Sequence, residues 1–323
     1  MRAFILAGGF ATRLWPLTEK RAKPLLPLRG KPILTHLVEK IPADLPVTVS
    51  TNAAFEDAFE EWRRDLGRSE TEIVVEGTKH DDEKLGAVGA TAEWITRRNI
   101  DEDVLLLTGD NYLGFSMEQF LASYHEGTTL LATYDIKDLP KASSFGTVIL
   151  SPGASRRILA FEEKPLQPKT TLVSTGCSVL PRSTLPVLLD YAKGHRDNVG
   201  GVFEEFLRQG IPIECFTFHE PWLDIGSFPA YLEAHRLLVQ HETIVHPSSD
   251  VSGSTFEGSN TIDRDCIVTG SSLTDCMIFR GCTVRDCVLR DCIVDEGCVL
   301  KNVDLDSKML RAGTVLEGNE RHE

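Results

Sequence analysis

Short apolar runs alternate with amphipathic stretches over the first 240 residues. Continuous apolar or β-branched segments at 3–8 (AFILAG), 47–51 (VTVST) and 103–110 (DVLLLTGD) are typical of buried strands. Between them, residues 55–66 and 90–99 carry apolar side chains at helical spacing, and 55–66 has its acids early and its bases late, as the helix dipole favours. This β-α-β-α order predicts a mostly parallel, doubly wound sheet.

The middle of this region has a more mixed pattern. Strand-like segments at 129–136, 147–151 and 157–163 follow one another closely, and two helical patterns come next. A further strand precedes SFPAYLEAHRLLVQ (227–240), for which the spacing predicts a helix. We therefore expect an α/β domain over residues 1–240, with a Rossmann-like, doubly wound mixed sheet.

The pattern changes after about residue 243, where helical spacing stops. An apolar residue is followed four positions later by a small one in Ile262/Cys266, Val268/Ser272, Ile278/Cys282 and Val294/Cys298. This is typical of the hexapeptide repeat of a left-handed parallel β-helix, in which both members of a pair point inward. The spacing drops to five around Cys287 and Cys292, so we expect a coil to tighten there. The pattern predicts a β-helix over residues 241–323, with an irregular β region as the alternative.

The charge and the apolar content of the chain argue against several classes of function. The chain has 323 residues and a formal net charge of −14 at pH 7. Such an acidic chain lacks the basic footprint that sequence-independent nucleic-acid binding needs. It has no apolar run of about 18 residues, and its N-terminal apolar run is too short for a signal peptide. We therefore expect a cytoplasmic protein without a nucleic-acid or membrane partner.

Cysteine and histidine are placed in ways that favour packing over chemistry. Six of the eight cysteines fall in Cys266–Cys298 without a Cys-x-x-Cys pair, which argues against zinc and for buried thiols that pack as small hydrophobes. The nine histidines are scattered. An acyltransferase role for the β-helix would depend on His246, and no second motif supports it. We expect the β-helix to serve as a scaffold or as a contact in a homo-oligomer.

Candidate chemistry concentrates in one N-terminal loop, LAGGFATRLWPLTEKRAKPLLPLRGKP (6–32). An apolar strand runs into a Gly-Gly turn, whose exposed amides can bind phosphate and allow close approach of a ligand. The groups suited to phosphate are flexible backbone, a hydroxyl and two cations, at Gly8, Gly9, Thr12, Arg13 and Lys23. Together they predict a polyphosphate ligand. The spacing matches neither GxGxxG nor GxxxxGK[ST], so a dinucleotide fingerprint and a P-loop are both disfavoured.

The segment GGFATRLWPLT followed by KPLLPLRGKP resembles the signature of sugar-1-phosphate nucleotidylyltransferases, also called nucleotide-sugar pyrophosphorylases. Further segments resemble that family in the same order, namely LGAVGA (85–90), LLLTGDN (105–111), FEEKP (161–165), VSTG (173–176) and WLDIGS (222–227). Two departures are visible, since Ala11 stands where the family usually has Gly and Ala22 where Pro is common. We expect neither departure to abolish phosphate binding.

The resemblance implies Mg²⁺-dependent transfer of a nucleoside monophosphate from a nucleoside triphosphate to a sugar-1-phosphate, with release of pyrophosphate. It implies a nucleotide site formed by Leu6, Gly8, Gly9, Thr12, Arg13, Gly86 and Gly109. It implies a sugar-phosphate site formed by Gly146, Glu163, Lys164 and Gly176, and a metal site at Asp110 and Asp224. The residues expected to act in catalysis are Arg13 at the leaving pyrophosphate, Lys23 at the α-phosphate and Lys164 at the sugar phosphate.

The residues by themselves support this chemistry less specifically. Asp110 closes an apolar strand, and ligands in open α/β sheets bind beyond the carboxyl ends of strands. A carboxylate there suits Mg²⁺, which takes one or two carboxylates plus substrate phosphates. The ordinary alternatives are a helix cap for Asp110, a turn for Asp224 and a solvated surface position for Lys164. A phosphate monoester is already nucleophilic, so alignment and charge stabilisation suffice for the reaction.

The base and the sugar are the most open part of the prediction. The GDN and VSTG segments favour the thymidylyltransferase branch, whereas HDDEKLGAVGA (80–90) is closer to the uridylyl- and guanylyltransferases. We expect dTTP or UTP with glucose-1-phosphate. The alternatives are a guanylyltransferase acting on mannose-1-phosphate, a non-catalytic regulatory homologue that binds nucleotide sugar, and a bifunctional enzyme that also acylates an amino sugar.

Overall fold

A computed structural model of the protein describes residues 1–9, 12–77, 85–153 and 156–319. The chain divides into two compact units. The first unit contains Met1–Gly9 and Leu34–Trp222, and the second contains Phe10–Ile33 and Leu223–Glu323. The N-terminal loop segment (Phe10–Ile33) therefore belongs to the same compact unit as the C-terminal strands. The domain boundary expected at residue 240 stays a prediction, because the two compact units divide the chain at other residues.

The regular elements that precede the C-terminal repeats alternate as the sequence pattern predicts. The strands are β1 (Arg2–Leu6), β2 (Pro27–Leu28), β3 (Lys31–Pro32), β4 (Val47–Asn52), β5 (Thr71–Glu76), β6 (Val104–Thr108), β7 (Asn111–Leu113), β8 (Thr129–Asp135), β9 (Gly146–Leu150), β10 (Ile158–Glu163), β11 (Leu172–Leu180), β12 (Ile213–Phe218) and β13 (Trp222–Asp224). The helices are α1 (Ile33–Val38), α2 (Glu56–Leu66), α3 (Ala87–Arg98), α4 (Met117–Ala122), α5 (Leu139–Ala142), α6 (Leu185–Tyr191), α7 (Val199–Arg208) and α8 (Phe228–Val239).

A nine-stranded mixed sheet forms the first unit, in the order β10-β9-β11-β6-β1-β4-β5, with β8 joining β11 to β12. Strands β6, β1, β4 and β5 run parallel, and β11 joins β6 in antiparallel orientation. Ala3, Phe4 and Ile5 of β1 are fully buried, as expected where helices cover both faces of a parallel sheet. The expected doubly wound mixed sheet is confirmed.

Strand β11 is the largest element that the sequence pattern missed. It pairs with β6, β8 and β9, yet serine and threonine interrupt its apolar pattern. Its register against β8 shifts between Ser174 and Ser178, and Gly176 within this stretch has a φ of +74°. A bulge of this kind breaks the alternation by which a strand is recognised in a sequence. The segment VSTG is therefore visible in the sequence as a motif but not as part of a central strand.

The second unit contains the β-helix, whose short parallel strands stack in three sheets. Its strands are β14 (Thr243–Val245), β15 (Thr255–Glu257), β16 (Asn260–Ile262), β17 (Ile267–Thr269), β18 (Ser272–Thr274), β19 (Met277–Ile278), β20 (Thr283–Arg285), β21 (Val288–Arg290), β22 (Ile293–Val294), β23 (Val299–Lys301), β24 (Asp304–Asp306), β25 (Met309–Leu310) and β26 (Val315–Glu317). The sheets follow the orders β14-β16-β19-β22-β25, β15-β18-β21-β24 and β17-β20-β23-β26. The predicted left-handed β-helix is confirmed.

The repeat of this β-helix is shorter than a strict hexapeptide pattern. Buried aliphatic side chains recur in steps of five, five and six residues through Val268, Leu273, Ile278 and Val284. Partners in adjacent coils are 17 residues apart in the first coil, as in Thr255 opposite Ser272, and 16 apart in the later coils, as in Ile267 opposite Thr283. The expected inward position of Ser272 is wrong, because Ser272 is exposed and the neighbouring Ser271 is buried. Five-residue steps occur in every coil, and tightening is not confined to Cys287 and Cys292.

The cysteines are free thiols, and all eight are buried. In one column of the β-helix, Cys266, Cys282 and Cys298 donate hydrogen bonds from Sγ to carbonyl oxygens 3.0–3.2 Å away. These thiols thus fill the interior of the coils and supply hydrogen-bond donors to backbone carbonyl groups there. Within the described ranges, no group of three or more His, Cys, Asp or Glu side chains is arranged to hold a metal ion.

Helix α8 leads into the β-helix and begins where its sequence predicts. The hydroxyl of Ser227 accepts a hydrogen bond from the Ala230 amide at 3.4 Å, and Pro229 stands in the first turn. The helix ends at Val239, and the capping residue Gln240 after it has a left-handed φ of +56°. In the part of the chain that the structure describes, no helix has the length and apolarity that a membrane crossing requires.

Candidate functional site

In the first unit, the predicted glycine turn begins at the carboxyl end of β1. The amide of Gly109 donates to the Leu6 carbonyl at 2.8 Å, so the ends of β1 and β6 are held together. The Gly8 carbonyl accepts a hydrogen bond from the Asn52 side chain at 2.9 Å. The predicted nucleotide-binding residues Leu6, Gly8, Gly9 and Gly109 therefore meet at adjacent strand ends, where open α/β sheets bind ligands.

Gly8 faces a buried carboxyl group that sequence reasoning missed. A Cβ at Gly8 would lie 2.9 Å from Glu76 Oε1, whereas a Cβ at Gly9 would meet no atom within 4 Å. The Ser50 hydroxyl donates to Glu76 Oε1 at 2.5 Å, and burial raises the pKa of Glu76. The Glu76 side chain also lines a cavity of about 220 Å³. In the sequence, Glu76 is merely the polar end of a strand, so no local signal marked it.

Gly86 opens helix α3 under a tight backbone constraint. Its φ is +74°, and a Cβ there would lie 2.4 Å from the Arg196 carbonyl oxygen. The helix starts at Ala87, earlier than the predicted 90, because Gly86 can take the turn that precedes it. The motif LGAVGA is thus placed at a helix N-terminus, where the Ala87 amide donates to Asp197 Oδ1 at 3.3 Å and the Gly89 amide to the Arg196 carbonyl at 2.9 Å. The preceding residues of the 80–90 segment, up to residue 84, lie outside the described residues.

Asp110 directly follows β6 and is oriented by its neighbour. The Asn111 side-chain amide donates to Asp110 Oδ1 at 2.9 Å and to the Thr108 hydroxyl at 2.8 Å. The Trp222 indole in turn donates to Asn111 Oδ1 at 2.9 Å. Asn111 is therefore a buried link from WLDIGS to the carboxylate of GDN. Both motifs were visible in the sequence, but the link between them was not.

The predicted sugar-phosphate residues also meet within the first unit. Glu163 Oε2 lies 2.9 Å from the position of a Cβ at Gly146, and the Lys164 ammonium lies 3.5 Å from Glu163 Oε1. Burial raises the pKa of Glu163, while the Lys164 charge acts in the opposite direction. Lys164 is exposed and has a left-handed φ of +45°. The structure thus brings Gly146, Glu163 and Lys164 into one cluster.

Two glycines complete the surroundings of this cluster and of β6. A Cβ at Gly200, on α7, would lie only 1.9 Å from Glu163 Oε2, so the Glu163 carboxylate needs glycine on both sides. Gly200 was missed because nothing in its local sequence distinguishes it from other helix glycines. Gly176 has a structural reason to be glycine, since its Cβ would lie 2.3 Å from the Thr108 hydroxyl.

The second unit carries the cations of the loop. Arg13 lies in a short 3₁₀ turn, Thr12–Leu14, with Thr12 and Arg13 exposed and Leu14 buried. Lys23 begins a second 3₁₀ turn, Lys23–Leu25, and is 7% exposed. Its ammonium lies 3.8 Å from Asp224 Oδ1, so two of the predicted residues meet here.

Of the two departures from the family signature, Ala22 lies within the described residues. Ala22 has the extended backbone that proline would favour, with φ −64° and ψ 140°. Replacing Pro by Ala therefore leaves the conformation before Lys23 unchanged. Ala11 lies outside the described residues.

Comparison with known proteins now decides the family. A family model described as "Nucleotidyl transferase" matches residues 2–241. The chain belongs to this family. The nucleotidyl transferase is also similar to a UTP–glucose-1-phosphate uridylyltransferase of Synechocystis sp., with 27% identity over 279 residues, which cover 80% of this chain and 69% of the relative. The predicted enzyme class, a nucleotidyltransferase, is confirmed, and so is the resemblance on which it was based.

Proposed function

We propose that this nucleotidyl transferase joins a nucleoside monophosphate from dTTP or UTP to glucose-1-phosphate, giving a nucleoside diphosphate sugar and pyrophosphate. The clustering of Gly146, Glu163 and Lys164 carries the proposal, because a carboxylate suited to sugar hydroxyls lies beside an ammonium suited to a phosphate in a chain of the nucleotidyl transferase family. Similarity to a UTP–glucose-1-phosphate uridylyltransferase favours UTP over dTTP.

In the proposed reaction, an oxygen of the sugar phosphate attacks the α-phosphorus of the triphosphate. A new phosphorus–oxygen bond forms, the bond to the β-phosphate oxygen breaks, and pyrophosphate leaves with that electron pair. No proton has to be removed from a phosphate monoester at neutral pH. The protein therefore needs groups that align the two substrates and offset negative charge.

The cations of the loop suit these tasks. The exposed guanidinium of Arg13 offers a fork of donors to the β- and γ-phosphates and to the leaving pyrophosphate. Lys23 is assigned to the α-phosphate, where its partly desolvated ammonium acts as a point charge. Asp224, 3.8 Å from that ammonium, restrains its position. Thr12, together with Leu6, Gly8, Gly9, Gly86 and Gly109, completes the proposed nucleotide site.

Asp110 and Asp224 are the residues proposed to hold Mg²⁺. Their donor set fits this ion, because Mg²⁺ prefers a few carboxylate oxygens and takes its other ligands from water and phosphates. The Asn111 amide donates to one oxygen of Asp110 and so fixes the orientation of this carboxylate. When bound, the ion supplies positive charge to the triphosphate.

The sugar phosphate, which accepts the nucleotidyl group, is assigned to the cluster of Gly146, Glu163 and Lys164. Lys164 carries an exposed ammonium that suits the phosphate of the sugar, and Glu163 carries a half-buried carboxylate that suits sugar hydroxyls. Gly146 and Gly200 keep the space around this carboxylate open. The Lys164 ammonium lies 3.5 Å from Glu163 Oε1, so the two groups can contact one sugar phosphate together.

Release of pyrophosphate tests the proposal. The full-length protein is incubated with Mg²⁺, each of UTP, dTTP, GTP, CTP and ATP, and either glucose-1-phosphate or mannose-1-phosphate. We expect release with UTP or dTTP and glucose-1-phosphate, its loss on chelation and its recovery with Mg²⁺. Arg13→Ala should abolish it, while Arg29→Ala, a change at another exposed arginine of the same segment, should not.

Each alternative gives a different result in the same assay. Release with GTP and mannose-1-phosphate would make the protein a guanylyltransferase. Silence over the whole panel, with nucleotide sugar still bound in calorimetry, would make it a regulatory homologue. Consumption of acetyl-CoA with an amino sugar would reveal a bifunctional enzyme, for which exposed His246 is the first residue to replace.

A further inference from the structure

Arg21 lies two residues before Lys23 and is held by three groups of the β-helix. Its Nη1 donates to Asp295 Oδ1 at 3.3 Å, and its Nη2 pairs with Glu296 Oε1. Its guanidinium carbon lies 5.3 Å from the centre of the Phe279 ring, within the range of a cation–π contact. The side chain is 18% exposed. These contacts are more than a surface lysine or arginine ordinarily makes.

The acceptors of this contact are themselves rigid. Asp295 follows β22 and is 4% exposed, and its amide donates to the Leu310 carbonyl of the next coil. Asp295 Oδ1 also accepts a hydrogen bond from the Glu296 amide at 2.8 Å. Burial raises the pKa of Asp295, and the Arg21 charge opposes this shift. A carboxylate buried this deeply needs its cation, so the pair holds both partners in one geometry.

Apolar residues of the loop segment, both before and after Lys23 in the sequence, accompany the ion pair of Arg21 with Asp295 and Glu296. One buried cluster contains loop residues and β-helix residues together, namely Leu14, Leu17, Leu26, Leu28, Met277, Phe279 and Ile293. The Tyr231 hydroxyl of α8 donates to the Pro27 carbonyl, and Arg311 pairs with Glu19 through two nitrogens. The N-terminal loop segment is thus packed on the β-helix along most of its length.

We propose that Arg21 is a positioning residue for nucleotidyl transfer, and that its pairing with Asp295 and Glu296 fixes the turn from which Lys23 projects. The β-helix then supports the phosphate-binding cations directly. This inference rests on the proposed function of Lys23 at the α-phosphate.

The link from Arg21 to Lys23 is short and stiff. Ala22 between them is buried and extended, and the turn Lys23–Leu25 follows at once. The Leu25 amide donates to the Ala22 carbonyl at 2.9 Å, and the Leu26 amide donates to the Lys23 carbonyl at 3.0 Å. Movement at Arg21 is therefore transmitted to Lys23. A displacement of about 1 Å in a group that aligns substrates lowers a rate by about 100-fold.

Kinetics of single variants form the first test. We expect Arg21→Ala and Asp295→Asn each to lower kcat by about 10- to 100-fold, with KM for the sugar phosphate within about twofold. Arg21→Lys should recover part of the rate, since it keeps the charge but loses the fork. The matched control is Arg280→Ala, which removes an ion pair to the same Glu296 from within the β-helix and should leave kcat unchanged.

A double variant and hydrogen exchange separate positioning from stability. Arg21→Ala/Asp295→Asn should be no slower than the worse single variant, because both remove one contact. In Arg21→Ala, the Leu25 and Leu26 amides should exchange at least about tenfold faster while the melting curve still shows a folded protein. The proposal would be overturned if the rate losses of the two single variants multiplied in the double variant. It would also be overturned if Arg21→Ala kept both its amide exchange rates and its kcat at the wild-type level.

The exchange measurement also keeps this inference apart from the proposed function. If the wild-type protein transfers no nucleotide over the substrate panel, the proposed function fails. The exchange rates of Leu25 and Leu26 still report whether Arg21 holds the turn, because they need no substrate. If the wild-type protein is active and Arg280→Ala slows it as much as Arg21→Ala does, the assignment to Arg21 is wrong.

Discussion

Gly200→Ala is the sharpest perturbation of the proposed sugar-phosphate site. The added Cβ would lie 1.9 Å from Glu163 Oε2, 2.6 Å from Glu163 Cδ and 2.9 Å from Cε1 of Phe161. The first two atoms are the end of a flexible side chain and can swing away. The Phe161 ring is buried in the core and can move less. The substitution should therefore displace the Glu163 carboxylate much more than it disturbs the fold.

The stability change comes out small because two effects oppose each other. Alanine in place of glycine stabilises a helix by up to about 1 kcal/mol, and Gly200 lies in the first turn of α7. Shifting the Phe161 ring resembles overpacking of a core, which costs about 1–3 kcal/mol. We expect a net loss of about 0–2 kcal/mol in the free energy of unfolding, so the variant should fold.

The change in activity should be larger. A hydrogen bond to a charged group contributes about 1.5–3 kcal/mol, and about 1.4 kcal/mol corresponds to a factor of ten. Loss of one such bond from Glu163 to a sugar hydroxyl predicts a fall of about 10- to 100-fold in kcat/KM for the sugar phosphate. The KM for the nucleoside triphosphate should stay within about twofold, because the proposed nucleotide site does not use Glu163.

Steady-state kinetics of pyrophosphate release with each substrate varied in turn measure this effect, and a thermal melt reports the fold. Gly194→Ala is the matched control, since a Cβ there would meet no atom within 4 Å. A Gly200→Ala enzyme with unchanged sugar-phosphate kinetics would refute the placement of Glu163 at the acceptor. So would equal losses toward both substrates.

Three further changes have expected outcomes of their own. Asp110→Asn should lower Mg²⁺-dependent turnover by at least about 100-fold with little change in melting temperature, and a turnover that survives would remove Asp110 from the metal site. Lys164→Ala should raise KM for the sugar phosphate and spare the triphosphate, and unchanged sugar-phosphate kinetics would place the acceptor phosphate elsewhere. Burial lowers the pKa of His235 to about 4, so below about pH 6.5 the unfolded chain takes up a proton that the folded chain excludes, and stability falls from pH 6.5 toward 4. Urea unfolding should show a loss of about 1.4 kcal/mol between pH 7.5 and 5.5 from this group, and His235→Leu should flatten that difference.

Much of the nucleotidyl transferase fold could be read from periodicity because the relevant physics is local. Strand β1 is a continuous apolar run since both of its faces are covered, and α8 begins at a serine that caps it. The same holds for Asp110, which ends an apolar strand and therefore lies at the sheet edge where ligands bind. Strand β11 escaped this reasoning because a bulge at Gly176 breaks the period.

The β-helix shows where local spacing gives the architecture but not the register. Pairs of apolar and small residues predicted the coils, yet Ser272 was placed inward and Ser271 was not. The spacing between two apolar residues does not by itself show which of the positions between them face the interior of the coil. The alternation of five, five and six becomes apparent only when coils stack in register 16 residues apart.

By itself, the sequence determined the alternation of strands and helices around the parallel part of the sheet, the family and the residue types that could bind phosphate, because these depend on neighbours along the chain. The tertiary structure alone decided that Glu163 lies against Gly200, that Glu76 lies against Gly8, and that Arg21 pairs with Asp295. Each of these contacts joins segments that are far apart in sequence. Their partners are chosen by how packed elements exclude one another's atoms, and no local pattern of residues encodes that choice.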